Sequence, residues 1–268
     1  MRRLLAVPVA AVCALLAGGC SDDNGPTQPE VPAITVAHFL PSHNALRAAL
    51  QDVVAEQNGG LGFDMWATIL DRNGKVVDVV FSGEQRGDQW PGSRVISAQK
   101  ANTANAFSLE GLALSTANLF AAVQPGGSLF GLQESNPVDT RVAYAGPVSA
   151  YGKANDPMIG KRIGGINVFG GGLALYSPDG TLLGGLGVSG DTSCTDHIIA
   201  WKLRFALNLD NVPGGVDLPE HTDNITFTDE TLDGFEHPTC FDSDENVVGN
   251  HVDIANNLPV THPVGPEE

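Results

Sequence analysis

The chain has 268 residues, with 31 acidic against 14 basic side chains, a formal net charge of -17 and hydrophobic residues at 42%. That apolar share is enough for a real core, and the roughly 235 residues beyond the leader suit one large domain or one domain with an extension. The acidity argues against nucleic acid and anionic headgroups as partners, because phosphate binding needs clustered Lys and Arg.

Met1, Arg2 and Arg3 make a short basic start, followed by an apolar run from Leu4 to Ala17 that is too short to span a bilayer. The run ends Leu16-Ala17-Gly18-Gly19-Cys20, small residues before a cysteine, which resembles the lipobox read by lipoprotein signal peptidase. Residues 1–19 are therefore expected to be a lipoprotein signal peptide, with Cys20 diacylated; an ordinary secretory signal with an incidental cysteine is the alternative. Residues 20–33, polar and Pro-rich, read as a lipidated tether. No later stretch is apolar enough to span, so the lipid would be the only attachment. The expected location is membrane-anchored, periplasmic or at the cell surface. Cys13 would be lost with the signal, leaving Cys194 and Cys240. In an oxidising compartment that pair reads as a disulfide, with two buried free thiols as the alternative.

Ile34 to Asn58 carries apolar residues at helical spacing, with Pro41-Ser42 as a start and Gly59-Gly60 as a stop. Phe63–Leu70 and Val76–Ser82 read as strands joined by a turn at Asp71-Arg72-Asn73-Gly74. Arg94–Leu109 and Leu114–Val123 read as helices. Pro125 to Asn167 has no clean period and reads as a long loop with a short strand at Val142–Ala145; loops of this length are often functional. Val168–Tyr176 and Thr181–Ser189 form a second, Gly-rich hairpin around Ser177-Pro178-Asp179-Gly180. Thr195–Leu209 is a helix. From Asp210 onward the chain has no Lys or Arg, yet Ile225, Phe227, Leu232, Phe235 and Phe241 argue for an ordered wrap pinned by Cys240 to Cys194; a disordered acidic tail is the alternative.

Three blocks carry a family resemblance. They are Ala67-Thr68-Ile69-Leu70-Asp71-Arg72-Asn73-Gly74-Lys75-Val76-Val77, Lys100-Ala101-Asn102-Thr103-Ala104, and Gly170-Gly171-Gly172-Leu173-Ala174-Leu175 through Gly184-Gly185-Leu186-Gly187-Val188-Ser189-Gly190 to Asp196. With the order helix, hairpin, helices, hairpin, helix, the chain resembles the GlcG/HbpS-like haem-binding family over residues 34–209. The resemblance implies an α+β fold with a central antiparallel sheet flanked by helices, of profilin/PAS-like architecture. It also implies possible haem binding and homo-oligomers. The chain departs from the pattern in its long Gly131–Gly165 segment, in an acidic extension over 210–268, and in His197, where the family usually has an acidic residue.

Haem needs an apolar cleft, an axial donor and partners for its propionates. The donors on offer are His38, His43, His197, Met65 and Met158. His197 stands beside the Gly-rich strand end, with Asp196 placed to orient a ring; a surface histidine at a helix start is the plainer alternative. Lys100, Lys161 and Arg162 are candidates for the propionates, or else ordinary surface charge. Asp242, Asp244, Asn246 and Asp253 are spaced somewhat like a calcium loop, although Val247 replaces the glycine such a loop needs. Gly187-Val188-Ser189-Gly190-Asp191 misses the nucleophile elbow, and neither a dinucleotide, a Walker nor a zinc-protease motif occurs. The expectation is a non-catalytic exported lipoprotein that binds haem, a related tetrapyrrole or another small ligand. The alternatives are an oligomerisation module without cofactor and, more weakly, an enzyme acting on a small substrate.

Overall fold

The computed structural model describes residues 39–215, 222–228, 234–241 and 250–265. The segments expected to be signal peptide and tether, with Cys20, and also His38, Asp242, Asp244 and Asn246, lie outside the described residues.

Helix α1 spans His43–Val54. It starts at the expected Pro41-Ser42 position, where the Ser42 hydroxyl caps the first turn by accepting from the Ala45 N–H. Leu46, Leu50 and Val53 give it one buried stripe. Strands β1 (Trp66–Asp71) and β2 (Val76–Phe81) form the first hairpin. Its turn is held by Asp71, whose carboxylate accepts from the N–H groups of Asn73 and Lys75, and Gly74 takes φ 73°. Helix α2 spans Ser93–Phe107, β3 spans Gly172–Tyr176, β4 spans Leu182–Ser189 and α6 spans Ser193–Ala206.

The four strands form one antiparallel sheet in the order β2-β1-β4-β3. The architecture is α+β, with a central antiparallel sheet flanked by helices, as the sequence predicts. Alternation along the strands separates two faces. Ala67, Ile69, Leu173, Leu175, Leu186 and Val188 face α1 and α6 in the main core. The opposite face presents Gly172, Gly185 and Gly187 to α2, and a Cβ at Gly187 would lie 2.6 Å from the Ala101 nitrogen. The glycines thus set how closely α2 can approach.

Between α2 and β3 the chain makes short turns: α3 (Leu119–Ala122), α4 (Leu132–Ser135) and α5 (Thr140–Ala143), then a 3-10 turn at Val148–Ala150. Two expectations are corrected here. The helix expected over Leu114–Val123 shrinks to α3, because the Asn118 side chain accepts from the backbone N–H and hydroxyl of Ser115 and holds a local turn instead. The strand expected at Val142–Ala145 is the end of α5, where Asp139 caps the turn through the Arg141 N–H. The segment is anchored by Arg94, whose guanidinium makes a buried fork with Asp156, donates to the Ala143 carbonyl (2.7 Å) and lies 3.6 Å from the Tyr151 ring centroid.

Part of the acidic extension is helical, an element the sequence reading did not assign. Helix α7 (Asn250–Thr261) packs on α6 and buries His251, Ala255 and Leu258 on one face. Among the described residues, no helix is long and apolar enough to cross a membrane.

Candidate functional site

The strand end Val188-Ser189-Gly190-Asp191 gathers groups from both sides of the sheet. Lys100 reaches from α2 and Asp196 from the first turn of α6. The Lys100 Nζ donates to Asp196 Oδ2 at 2.6 Å and to the Val188 carbonyl at 3.0 Å. The other carboxylate oxygen accepts from the N–H groups of Gly190 (3.0 Å) and Asp191 (2.9 Å). Both side chains are buried, at 0% and 2% exposure. Burial lowers the Lys100 pKa and raises that of Asp196, while the pairing opposes both shifts. The pair therefore closes the strand end and is not a solvated charge.

Asp191 works outward. Its carboxylate accepts from the N–H groups of Leu61 and Phe63, folding residues 59–63 against the strand end. Gly60, at φ 72°, passes so close to Thr195 and Asp191 that any side chain would collide. This loop walls a cavity of about 340 Å³ whose apolar lining comes from Val54, Leu61, Phe63, Met65 and Ile199. Lys202 braces its rim by donating to the Gln57 carbonyl and the Asn58 side chain and by pairing with Glu56 at 2.8 Å.

His197 is fully buried rather than exposed, because residues 222–228 lie over it. The Ile225 N–H donates to His197 Nε2 at 3.1 Å, and Asn224 Oδ1 lies 3.1 Å from the same atom. Its Nδ1 is buried without a hydrogen-bond partner, and burial lowers the ring's pKa to about 4. The covering segment is locked by a fully buried fork between Arg204 and Asp223 (2.6 and 2.8 Å). Next along, Cys194 and Cys240 form a disulfide, the pairing the sequence leads one to expect. His237 sits beside it, with Nε2 2.8 Å from Ser193 Oγ and Nδ1 2.7 Å from the Pro238 carbonyl, and burial lowers its pKa to about 4.

The structure thus brings Lys100, Asp196 and His197 together at one strand end. Lys161 and Arg162 are exposed near the opposite end of β1 and β2, where Arg162 donates to the Asn73 carbonyl. Met65 lines the cavity, whereas Met158 is buried under the other face with Trp66 and Phe81. His43 pairs with Asp78 at 2.8 Å. Asp253 is exposed in the first turn of α7, and among the described residues it belongs to no cluster of metal-binding side chains. Sequence reasoning missed His237, Ser193, Asp223 and the Arg94–Asp156 fork. Arg94 and Arg204 stand among other polar residues on their helices, so the sequence carried no local signal that each needs a distant carboxylate.

The family described as "Haem degrading protein HbpS-like" matches residues 42–203. The chain belongs to this HbpS-like family. All three sequence blocks fall inside the match, as do Lys100, Asp191, Asp196 and His197; Asp223, His237 and Cys240 fall outside it. Among solved structures, this HbpS-like chain is similar to one described as a PduOC:heme complex, at 26% identity and TM-score 0.44, over 63% of this chain and 96% of that one. It is also similar to Klebsiella pneumoniae protein ORFY, of family DUF336, at 23% identity and TM-score 0.41, over 62% and 90%. No curated protein matches the chain.

Proposed function

We propose that the chain is an exported lipoprotein that binds haem or a related tetrapyrrole, without catalysis. Membership of the HbpS-like family over residues 42–203 carries the reading. The donor chemistry agrees with it. His197 is held as a neutral imidazole with an unpartnered Nδ1, the protonation state a haem ligand needs, and Met65 brings a thioether to a cavity lined by both polar and apolar groups. For His197 to ligate iron, residues 222–228 must lift from α6, since they engage its Nε2. Asp196 would then position the helix turn that carries His197, and Lys100 would hold Asp196 rather than a propionate. Lys161 and Arg162, exposed at the opposite end of β1 and β2, fall outside this site.

Export is supported by the leader and by the Cys194–Cys240 disulfide. Lipidation at Cys20 would make the anchor, and two acyl chains hold a membrane far more firmly than one. Assembly into a homo-oligomer belongs to the same proposal, with the exposed, adjacent rings of Phe63 and Trp90 (centroids 5.2 Å apart) as apolar surface for it. The test is expression of the full chain with haem supplied, followed by purification and a pyridine haemochrome assay. Haem at near-stoichiometric level is expected; a colourless protein contradicts the proposal.

A further inference from the structure

Outside the haem reading, one cluster among the described residues combines two cysteine sulfurs with an imidazole. Cys194 lies in the first turn of α6, while His237 and Cys240 come from the extension. One ligand atom from each residue lies within 4.8 Å of the other two, and Cys194 and His237 are buried. While the bridge is intact the sulfurs are no ligands, because the thiolate is the form that binds metal. We propose that reduction of the Cys194–Cys240 bridge turns this cluster into a Cys2His site for a borderline divalent ion of the zinc class.

Three observations support it. First, the two chain segments are held together independently of the bridge. The His237 N–H donates to the Thr226 carbonyl, the Thr228 N–H to the His237 carbonyl, and the Ala121 N–H to the Glu236 carbonyl, while Arg204 grips Asp223. Reduction therefore leaves the ligands near one another. Second, the cysteine Cα atoms are 6.0 Å apart. Tetrahedral zinc with Zn–S bonds of about 2.3 Å needs its sulfurs about 3.8 Å apart, a separation that side-chain rotation can supply. Third, the Cys194 N–H, at the start of α6, donates to Cys240 Sγ at 3.1 Å, so a thiolate there meets a helix N-terminus.

The redox step is a thiol–disulfide exchange. A dithiol gives two electrons and two protons, the S–S bond breaks, two thiols form and the dithiol closes to its own disulfide. Metal binding then releases both thiol protons to solvent. Three protein ligands leave one tetrahedral position for water or another donor.

The test uses the full, untagged chain, reduced with a phosphine, desalted under argon and titrated with Co2+. Expected is a thiolate-to-cobalt charge-transfer band with visible absorption of tetrahedral strength, saturating at one ion per chain and bleached by Zn2+. The oxidised chain should show neither band. His237→Ala should weaken cobalt binding at least tenfold, and Cys240→Ser should remove most of the charge-transfer intensity. Circular dichroism is followed in parallel, and a reduced chain that regains structure as cobalt binds supports the site. Absence of a saturable tetrahedral spectrum, equal binding by His237→Ala, equal binding by the oxidised chain, or a reduced chain that stays unfolded with cobalt present would each overturn it.

Discussion

Replacing Lys100 by Met should cost far more than a surface lysine would. Met keeps the length and apolar stem but removes the Nζ that donates to Asp196 Oδ2 at 2.6 Å and to Val188 O at 3.0 Å. The Asp196 carboxylate, 2% exposed, is left with only the Gly190 and Asp191 N–H groups. Removing one partner of a buried ion pair typically costs about 3–5 kcal/mol, because the remaining charge is stranded. Urea unfolding with the disulfide intact measures this as a lower midpoint at unchanged slope. The double variant Lys100→Met/Asp196→Asn removes the stranded charge and keeps an oxygen acceptor, so it should recover stability, with a coupling of roughly 1–3 kcal/mol. The pH dependence adds a signature. Burial already raises the Asp196 pKa to about 6 with Lys100 present, and Lys100 opposes that rise, so the single variant raises it further. Its deficit relative to the parent should shrink as pH falls and the carboxyl protonates. A loss below about 1 kcal/mol, or a double variant no better than the single, would refute the argument.

Gly187→Ala should fail through sterics, since its Cβ meets the α2 backbone at Ser97 and Ala101. Overpacking of this kind costs about 1–3 kcal/mol, a fall in Tm of roughly 3–10 °C by calorimetry, and an unchanged Tm would contradict the close packing of α2. Acidification should destabilise the fold, because burial lowers the pKa values of His197 and His237 from about 6.5 to about 4. Their contribution is complete above pH 6.5 and is lost as pH falls through 4, worth roughly 3 kcal/mol per ring. Asp196, with its raised pKa, acts in the opposite direction between about pH 4 and 6 and offsets part of the loss. His197→Gln should therefore flatten the acid limb of a Tm-against-pH curve, and an unaltered limb would show that the ring is not buried neutral.

Both hairpins were legible because their turns carry a mechanism: Asp71 with Gly74, and Ser177 with Gly180 at φ 82°. The strand glycines were legible as sites of close approach, although the sequence could not name α2 as the neighbour. Cys194 and Cys240 were paired by their context alone. The boundaries of α3 and α5 were not legible, because Asn118 and Asp139 act through side-chain hydrogen bonds that compete with the local period. Helix α7 was hidden by Asn256, Asn257 and Pro259, which interrupt a stripe visible only once α6 lies beneath it. Lys100 and Asp196 were singled out by the family motif, but their contact spans 96 residues and depends on the sheet end that joins them. The burial of His197 was beyond reach for the same reason: Asn224 and Ile225, which cover it, carry no local signal.

The central claim, that this HbpS-like chain binds haem, is tested most directly by titrating hemin into the full chain and following the Soret band, with His197→Ala alongside. The account predicts a shifted Soret band that saturates at one hemin per chain, weakened in the variant if residues 222–228 give way and His197 ligates the iron. A rise that stays linear and unshifted in the parent protein would contradict it.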